Sequence, residues 1–236
     1  MLEKLKKIGQ LQKTLKNKMV VPVGDRSGSV IEPLLTEQWF CNAKKLSKPL
    51  MKLVKKNEIR FFPSNWVNTF NHWIKNIQPW CISRQIWWGH RIPAWYTDNE
   101  KLIVAETFED ALKIAKKKFN LKKEKLTQDP NVLDTWFSSS LWPFSTLGWP
   151  QTNNKDFKLF YPTNVLITGF DIIFFWVARM LMMGLHFTKK LPFRDIYIHP
   201  LVRDKFGQKM SKSKGNVIDP VSVSYTHLRA HETIAD

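Results

Sequence analysis

The sequence predicts an α/β protein built on a parallel sheet, with its ligand site at the carboxyl ends of the strands. Three observations carry this expectation. Val165–Thr168 is a short apolar run that ends at Gly169 and passes into a long apolar stretch reaching about Leu185. Ile196–His199 is a second short apolar run. The loop Val202–Lys214, with a glycine inside it, follows directly. Strand, helix, strand and loop in that order make a βαβ unit, and open sheets of this kind bind ligands beyond their strand C-termini.

The remaining elements read in order from local signals. The lysine-rich N-terminus predicts an amphipathic helix to about Lys18, and Met19–Val23 a short strand. Gly24–Gly28 is a turn, and Ser29–Ile31 resumes as strand before Pro33. Ser47–Lys56 is a helix interrupted early by Pro49. Asn65 to about Ile77 is a helix with Ser64 as its cap, and Trp66, Phe70 and Trp73 near helical spacing form a packing stripe. Pro79 ends it. Ala94–Thr97 is a strand, Phe108–Phe119 a helix, and Asp129–Phe137 a loop entering a strand or short helix.

Composition bounds the function only loosely. With 236 residues and 43% hydrophobic content, the chain has material for a real core. Its formal net charge of +17 favours polyanionic partners, although runs such as Lys4–Lys7, Lys13–Lys18 and Lys116–Lys125 fit a solvated face equally well. The two cysteines, Cys41 and Cys81, form neither a CxxC pair nor a disulfide framework, which fits reduced thiols in a cytoplasmic protein. The N-terminus has no apolar signal-peptide region. The apolar run Ile172–Phe187 carries Arg179 at its middle and is too short for a span, so it reads as a buried helix and not a membrane segment.

Two short segments have the composition of a phosphate and nucleoside site. In Gly207–Asn216, Lys209 and Lys212 flank Met210 and Ser211, with Ser213 and Lys214 following. Ammonium groups on a small-residue loop pair with phosphates and stabilise charge that grows during nucleotidyl transfer. A basic surface loop is the alternative, and Walker A spacing is missing. In Thr168–Asp171, Gly169 permits close backbone approach, while Asp171 either caps the following helix or binds a ligand.

Lys209–Ser213 reads Lys-Met-Ser-Lys-Ser, without mismatch to the KMSKS signature, and so resembles the class I aminoacyl-tRNA synthetases. The stretch Val132–Pro150, with Trp136 inside it, is similar to the valine-specific branch of that family. The resemblance covers about residues 1–220. It implies a partial Rossmann-like class I catalytic domain together with the C-terminal edge of an inserted editing domain. It divides the chain into a closing segment of that editing domain (1–40), a connecting helical region (41–79), the second part of the catalytic domain (80–220) and a non-native tail (221–236). Gly169, Asp171, Lys209, Met210, Ser211, Lys212 and Ser213 would then contact ATP or the adenylate, with Lys209 and Lys212 catalytic. Trp136, Ile172 and Trp176 would line a small apolar amino-acid pocket. The implied activity joins valine to its tRNA with ATP, and magnesium arrives with ATP with no protein-bound metal. The whole protein would be a monomer with no membrane partner. An isoleucine-specific relative and a truncated, non-catalytic tRNA-binding paralogue are the alternatives.

Three departures limit the resemblance. The His-x-Gly-His signature of the first strand–helix turn is not supplied by His90 or His199, so the chain is expected to be inactive by itself. The editing carboxylates are expected upstream, and Asp25, Arg26 and Ser27 read as a salt-bridged turn. Pro200 replaces the glycine that the family places after the residue matched by His199, which leaves any ligand role for His199 open. His90 and Arg91 are candidates for packing or substrate approach, and His72 reads as an ordinary helical histidine. His227 and His231 in the tail lack a third ligand for zinc.

Overall fold

The computed structural model describes residues 2–24, 27–119, 125–212, 215–219 and 221. Contacts divide the chain into two compact units, Met1–Glu37 and Gln38–Asp236. Apart from Val221, the tail expected to be non-native, with His227 and His231, lies outside the described residues, as do Asp25, Arg26, Ser213 and Lys214.

In the first unit, α1 (Leu2–Lys7) buries none of its residues. It closes at Gly9, whose φ is +68°, with the Gln10 amide donating to the Leu5 carbonyl at 3.0 Å. The helix expected to reach Lys18 therefore stops some ten residues early. A short helix holds only when tertiary packing supports it, and this one has no buried face. The expected strand Met19–Val23 reduces to one bridge between Val23 and Val30, for the same lack of packing. The turn is present: the Gly24 amide donates to Ser29, Gly28 donates to Gly24, and Ile31 donates to Pro22, each at 2.9 Å.

The second unit opens with β1 (Phe40–Cys41). An unexpected helix, α2 (Ala43–Ser47), comes before Pro49, and the helix expected over Ser47–Lys56 begins only after that proline, as α3 (Leu50–Lys55). Asn42 caps α2 by accepting from the Lys45 amide. Next comes β2 (Arg60–Phe62), which was not foreseen. In α4 (Trp66–Lys75) the cap position is Asn65 and makes no side-chain cap bond. Ser64 contributes only its carbonyl, to the Val67 amide, which corrects its expected role. The aromatic stripe is packing: Phe70 is fully buried, Trp66 stacks on Phe170, and Trp73 meets Phe174 edge-on.

The chain then returns through β3 (Trp80–Cys81), antiparallel to β1, and β4 (Ser83–Arg84). A small satellite layer follows: β5 (Ala94–Thr97), β6 (Leu102–Val104), α5 (Phe108–Phe119) and β7 (Leu126–Gln128). Its antiparallel sheet has the order β6-β5-β7 and packs Trp95, Ile103 and Leu126 against Ala111 and Ala115 of α5. Thr107 precedes α5, and its hydroxyl accepts from the Asp110 amide as a cap. β8 (Val132–Leu133) pairs antiparallel with β4 and leads into α6 (Thr135–Ser145). Then come α7 (Lys155–Phe160), capped by Asn154, and β9 (Val165–Gly169).

The long apolar stretch is not uniform. Phe170–Ile172 forms a 3₁₀ turn, Ile173–Ala178 a π-helical turn, and α8 (Arg179–Thr188) an α-helix. After it, β10 (Asp195–His199) lies parallel to β9, in register from Asp195 opposite Val165 to His199 opposite Gly169. β2 adds to the other edge of β10, also parallel, giving the order β2-β10-β9. The expected βαβ unit is therefore present with one strand more. One face of this sheet, through Phe61, Leu166, Ile196 and Ile198, packs on the main core. The opposite face shows Phe62, Val165, Ile167 and Tyr197 to solvent.

The segment Phe170–Thr188 is long and apolar enough to cross a membrane by length and composition alone, but half of it is buried in the protein's own core. Ile173, Val177, Met180 and Leu181 are fully buried there, against Phe70, Phe144 and Phe193.

Candidate active site at the strand ends

β9 and β10 end side by side, so Gly169 and His199 face one another at the carboxyl edge of the sheet. A side chain at Gly169 would crowd its neighbours: a Cβ would stand 2.8 Å from the Asp171 carboxylate, which would have to shift, and 3.2 Å from Leu201. The crowding comes from close approach and not from the backbone, since the φ of −72° is open to any residue. His199 turns its Nδ1 to the Pro200 carbonyl at 2.9 Å. A carbonyl only accepts, so Nδ1 is the donor in this contact.

The loop beyond β10 is a braced hairpin. Arg203 bridges to Lys209, and Gly207, with φ +75°, makes the reversal. Asp204 accepts from the amides of Phe206 and Gln208 at 2.9 and 2.8 Å. Asn216 ties the far side back, accepting from the Ser211 amide and donating to Asp204 and the Lys209 carbonyl. The loop's basic groups are thus presented by a hydrogen-bonded frame.

That frame delivers Lys209 to Asp171, Nζ to Oδ2 at 2.7 Å. Two residues singled out separately in the sequence meet here. Asp171 lies within the 3₁₀ turn whose cap position is Gly169, so its carboxylate serves the lysine and the capping alternative is not what the fold uses. Both side chains keep solvent contact, so the pair can exchange its partners for a ligand's groups. Met210 accepts from the Ile218 amide through sulfur, and Lys212 is exposed.

Behind the strand ends, α6 packs on the π-helical turn and α8. Trp136 stacks on Phe175 with ring centroids 5.9 Å apart. Trp176 donates its indole N–H to the Ser139 carbonyl at 3.3 Å and lies against Trp142. Trp136, Ile172 and Trp176 are all half-buried and lie on these packed elements.

One buried cluster joins the same elements and was not foreseen. The carboxylate of Asp134 accepts from the indole N–H of Trp80 at 2.8 Å and pairs with Arg179 and Arg84, each at 3.3 Å. The Arg179 guanidinium lies 4.0 Å from the centre of the Trp80 ring. Burial pulls the Arg179 pKa down to about 10, against the pull of Asp134, so the group stays charged at neutral pH. Arginine inside an apolar helical run was the available signal, because a buried guanidinium requires a carboxylate.

Burial also pushes the Cys41 thiol up, with Arg179 partly offsetting it. Native Cys41 should therefore react with iodoacetamide more slowly at pH 8 than in urea-unfolded chain, and the gap should narrow as pH rises. Mass-spectrometric labelling rates check this, and equal rates at pH 8 would contradict it. Both cysteines are free. Arg91 donates to the Asp129 carbonyl and the His90 carbonyl accepts from the Leu133 amide, while both residues remain exposed. His72 is exposed on α4. Among the described residues no group of three or more His, Cys, Asp or Glu is placed to hold a metal.

Residues 8–229 match the family model described as tRNA synthetases class I (I, L, M and V). The chain belongs to that family. The valine–tRNA ligase of Granulibacter bethesdensis is 59% identical over 224 residues, covering 95% of this chain and 24% of that protein. The valine–tRNA ligase of Pelagibacter ubique is 59% identical over 213 residues, covering 90% and 24% respectively. The chain thus spans about a quarter of the length of these class I relatives. Among solved structures, methionyl-tRNA synthetase of Mycobacterium tuberculosis bound by methionyl-adenylate aligns with a TM-score of 0.57 at 20% identity. That alignment covers 87% of this chain and 34% of that one, and it shows the shared mixed α/β class I fold.

Proposed function

We propose that the full-length protein containing this chain is a valine–tRNA ligase working in the cytoplasm as a monomer. The observation that carries this is the meeting of Lys209 with Asp171 at the strand ends, in a chain 59% identical to valine–tRNA ligases. A valine carboxylate oxygen would attack the α-phosphorus of ATP, and the bond to pyrophosphate would break. The ribose hydroxyl of tRNA(Val) would then attack the carbonyl carbon, releasing AMP. Gly169 lets the adenylate lie against the backbone, and Asp171 accepts from its hydroxyl or ammonium groups. Met210 and Ser211 follow the phosphates along the loop. Lys209 and Lys212 stabilise the charge that grows on them. Magnesium travels with ATP as part of the substrate.

Trp136, Ile172 and Trp176 form the amino-acid pocket in this reading. An apolar wall separates valine from a ligand differing by one methylene or a hydroxyl by only about 10- to 200-fold. A second, hydrolytic site is therefore needed, and residues 1–40 are read as the closing segment of that editing domain. Residues 41–79 run from it to the catalytic part at 80–220, and add the strand β2 to that part's sheet and Phe61 and Phe70 to its core.

Valine-dependent exchange of pyrophosphate into ATP by the full-length protein tests the proposal. The expected result is exchange with valine well above isoleucine, with kcat/KM at least tenfold higher. Isoleucine outcompeting valine would assign the isoleucine-specific branch. A folded protein with no exchange but salt-sensitive tRNA binding would leave the net charge of +17 as the functional feature, and the ligase reading would fail.

A further inference from the structure

The Asp134 cluster has no part in the chemistry above, yet it sits where the walls of the amino-acid pocket are joined. Asp134 directly precedes α6, two residues before Trp136. Arg179 opens α8, three residues after Trp176. Their ion pair crosses from one element to the other, between side chains only 7% and 9% exposed. The same guanidinium lies 5.4 Å from the centre of the Phe175 ring, the ring on which Trp136 stacks. A second tie between the elements is the bond from Trp176 to the Ser139 carbonyl.

Resting on the valine–tRNA ligase reading, we propose that Asp134 and Arg179 are positioning residues that set the width of the amino-acid pocket. They lock α6, which carries Trp136, to the π-helical turn, which carries Trp176.

Three arguments support this. First, a buried ion pair is a poor source of stability, because apolar residues of similar volume fill the same space as well or better. What it adds is a fixed direction and distance, here between the two tryptophan-bearing elements. Second, the site is over-determined: the one carboxylate receives Trp80, Arg84 and Arg179, so it cannot slide along α6 without losing partners. Third, Trp176 lies on a π-helical turn, a geometry that costs free energy in isolation and recurs at functional sites. The Arg179 pair is anchored at the residue that follows that turn.

The test is a neutral pair in the full-length protein, Asp134→Asn with Arg179→Met. Asparagine keeps an acceptor for Trp80, and methionine fills the arginine's volume without leaving a buried charge. In pyrophosphate exchange, KM for valine should rise about tenfold and the valine-over-isoleucine preference should fall about tenfold, since wall spacing sets that ratio. KM for ATP should change less than twofold, because the strand ends and the Lys209 loop keep their geometry. A merely structural pair would lower the active fraction and leave both KM values and the preference unchanged, and that result overturns the proposal. Arg179→Lys is the second variant and covers misfolding of the first. It keeps the charge but loses the flat guanidinium over Trp80, and should give a smaller shift in the same two quantities. An unchanged valine preference in Arg179→Lys also overturns the proposal. Wild-type protein without valine-dependent exchange would remove the ligase reading itself, an outcome separate from either of these.

Discussion

Lys209→Ala in the full-length protein should lower kcat for valine activation by about 10²- to 10³-fold, the loss typical of removing one preorganised group that meets transition-state charge. Lys209 is held for this by a hairpin that Asp204, Gly207 and Asn216 brace, so its ammonium arrives at the strand ends without a search. Its Nζ rests on the Asp171 carboxylate at 2.7 Å. That pair is solvent-exposed and contributes no more than about 1 kcal/mol to folding, so the variant should melt within a few degrees of wild type. The large effect on rate beside a small effect on stability is the expected signature. Single-turnover pyrophosphate exchange alongside thermal melting reads both. A rate loss under threefold would remove Lys209 from the chemistry.

The largest stability effect should come from Asp134→Ala. It leaves the Arg179 guanidinium buried without its carboxylate and takes the acceptor from the Trp80 indole. Breaking a buried pair from one side costs about 3–5 kcal/mol, a large part of a domain's total stability. In urea this is a fall in the unfolding midpoint on the order of 1–2 M. The contrast is Arg84→Ala. Arg84 touches the same carboxylate but its side chain is 38% exposed, and it also donates to the carbonyls of Cys81 and Ser83. Its loss should cost under about 1 kcal/mol. Equal midpoints for the two variants would show that burial does not govern this cluster.

Local signals in the sequence were followed wherever the protein buries the face they predict. Ala94–Thr97 and Phe108–Phe119 appear with the expected boundaries, because both lie on the small satellite core. The N-terminal lysine-rich stretch has helical propensity but no buried face, and its helix ends at Gly9. Arg60–Phe62 is not legible in the sequence for a different reason. Three residues carry no usable period, and the partner that makes them a strand lies 135 residues away, where Arg60 also pairs with Asp195. The site divides in the same way. Gly169, Asp171 and Lys209 were legible because each stands in a short motif whose residue types suit phosphate and sugar chemistry. Their meeting across the strand ends was not legible, since no local pattern specifies the hairpin that carries Lys209 back. The Asp134–Arg179 pair spans 45 positions and needs the packed fold to be seen.

The π-helical turn at Ile173–Ala178 also sets the phase between the two ends of this segment. Its i→i+5 bonds enclose one residue more than an α turn does, so its six residues cover about the rotation that five cover in an α-helix. Asp171 lies before the turn and Arg179 after it, and each is committed to a different partner. If the same six residues wound as ordinary α-helix, Arg179 would swing by about 100° relative to Asp171. The chain could then keep Asp171 beside Lys209 or Arg179 beside Asp134, but not both. Loss of one codon inside the turn would instead leave α-helical winding with both ends in phase, and should be tolerated better than the same loss inside Arg179–Thr188.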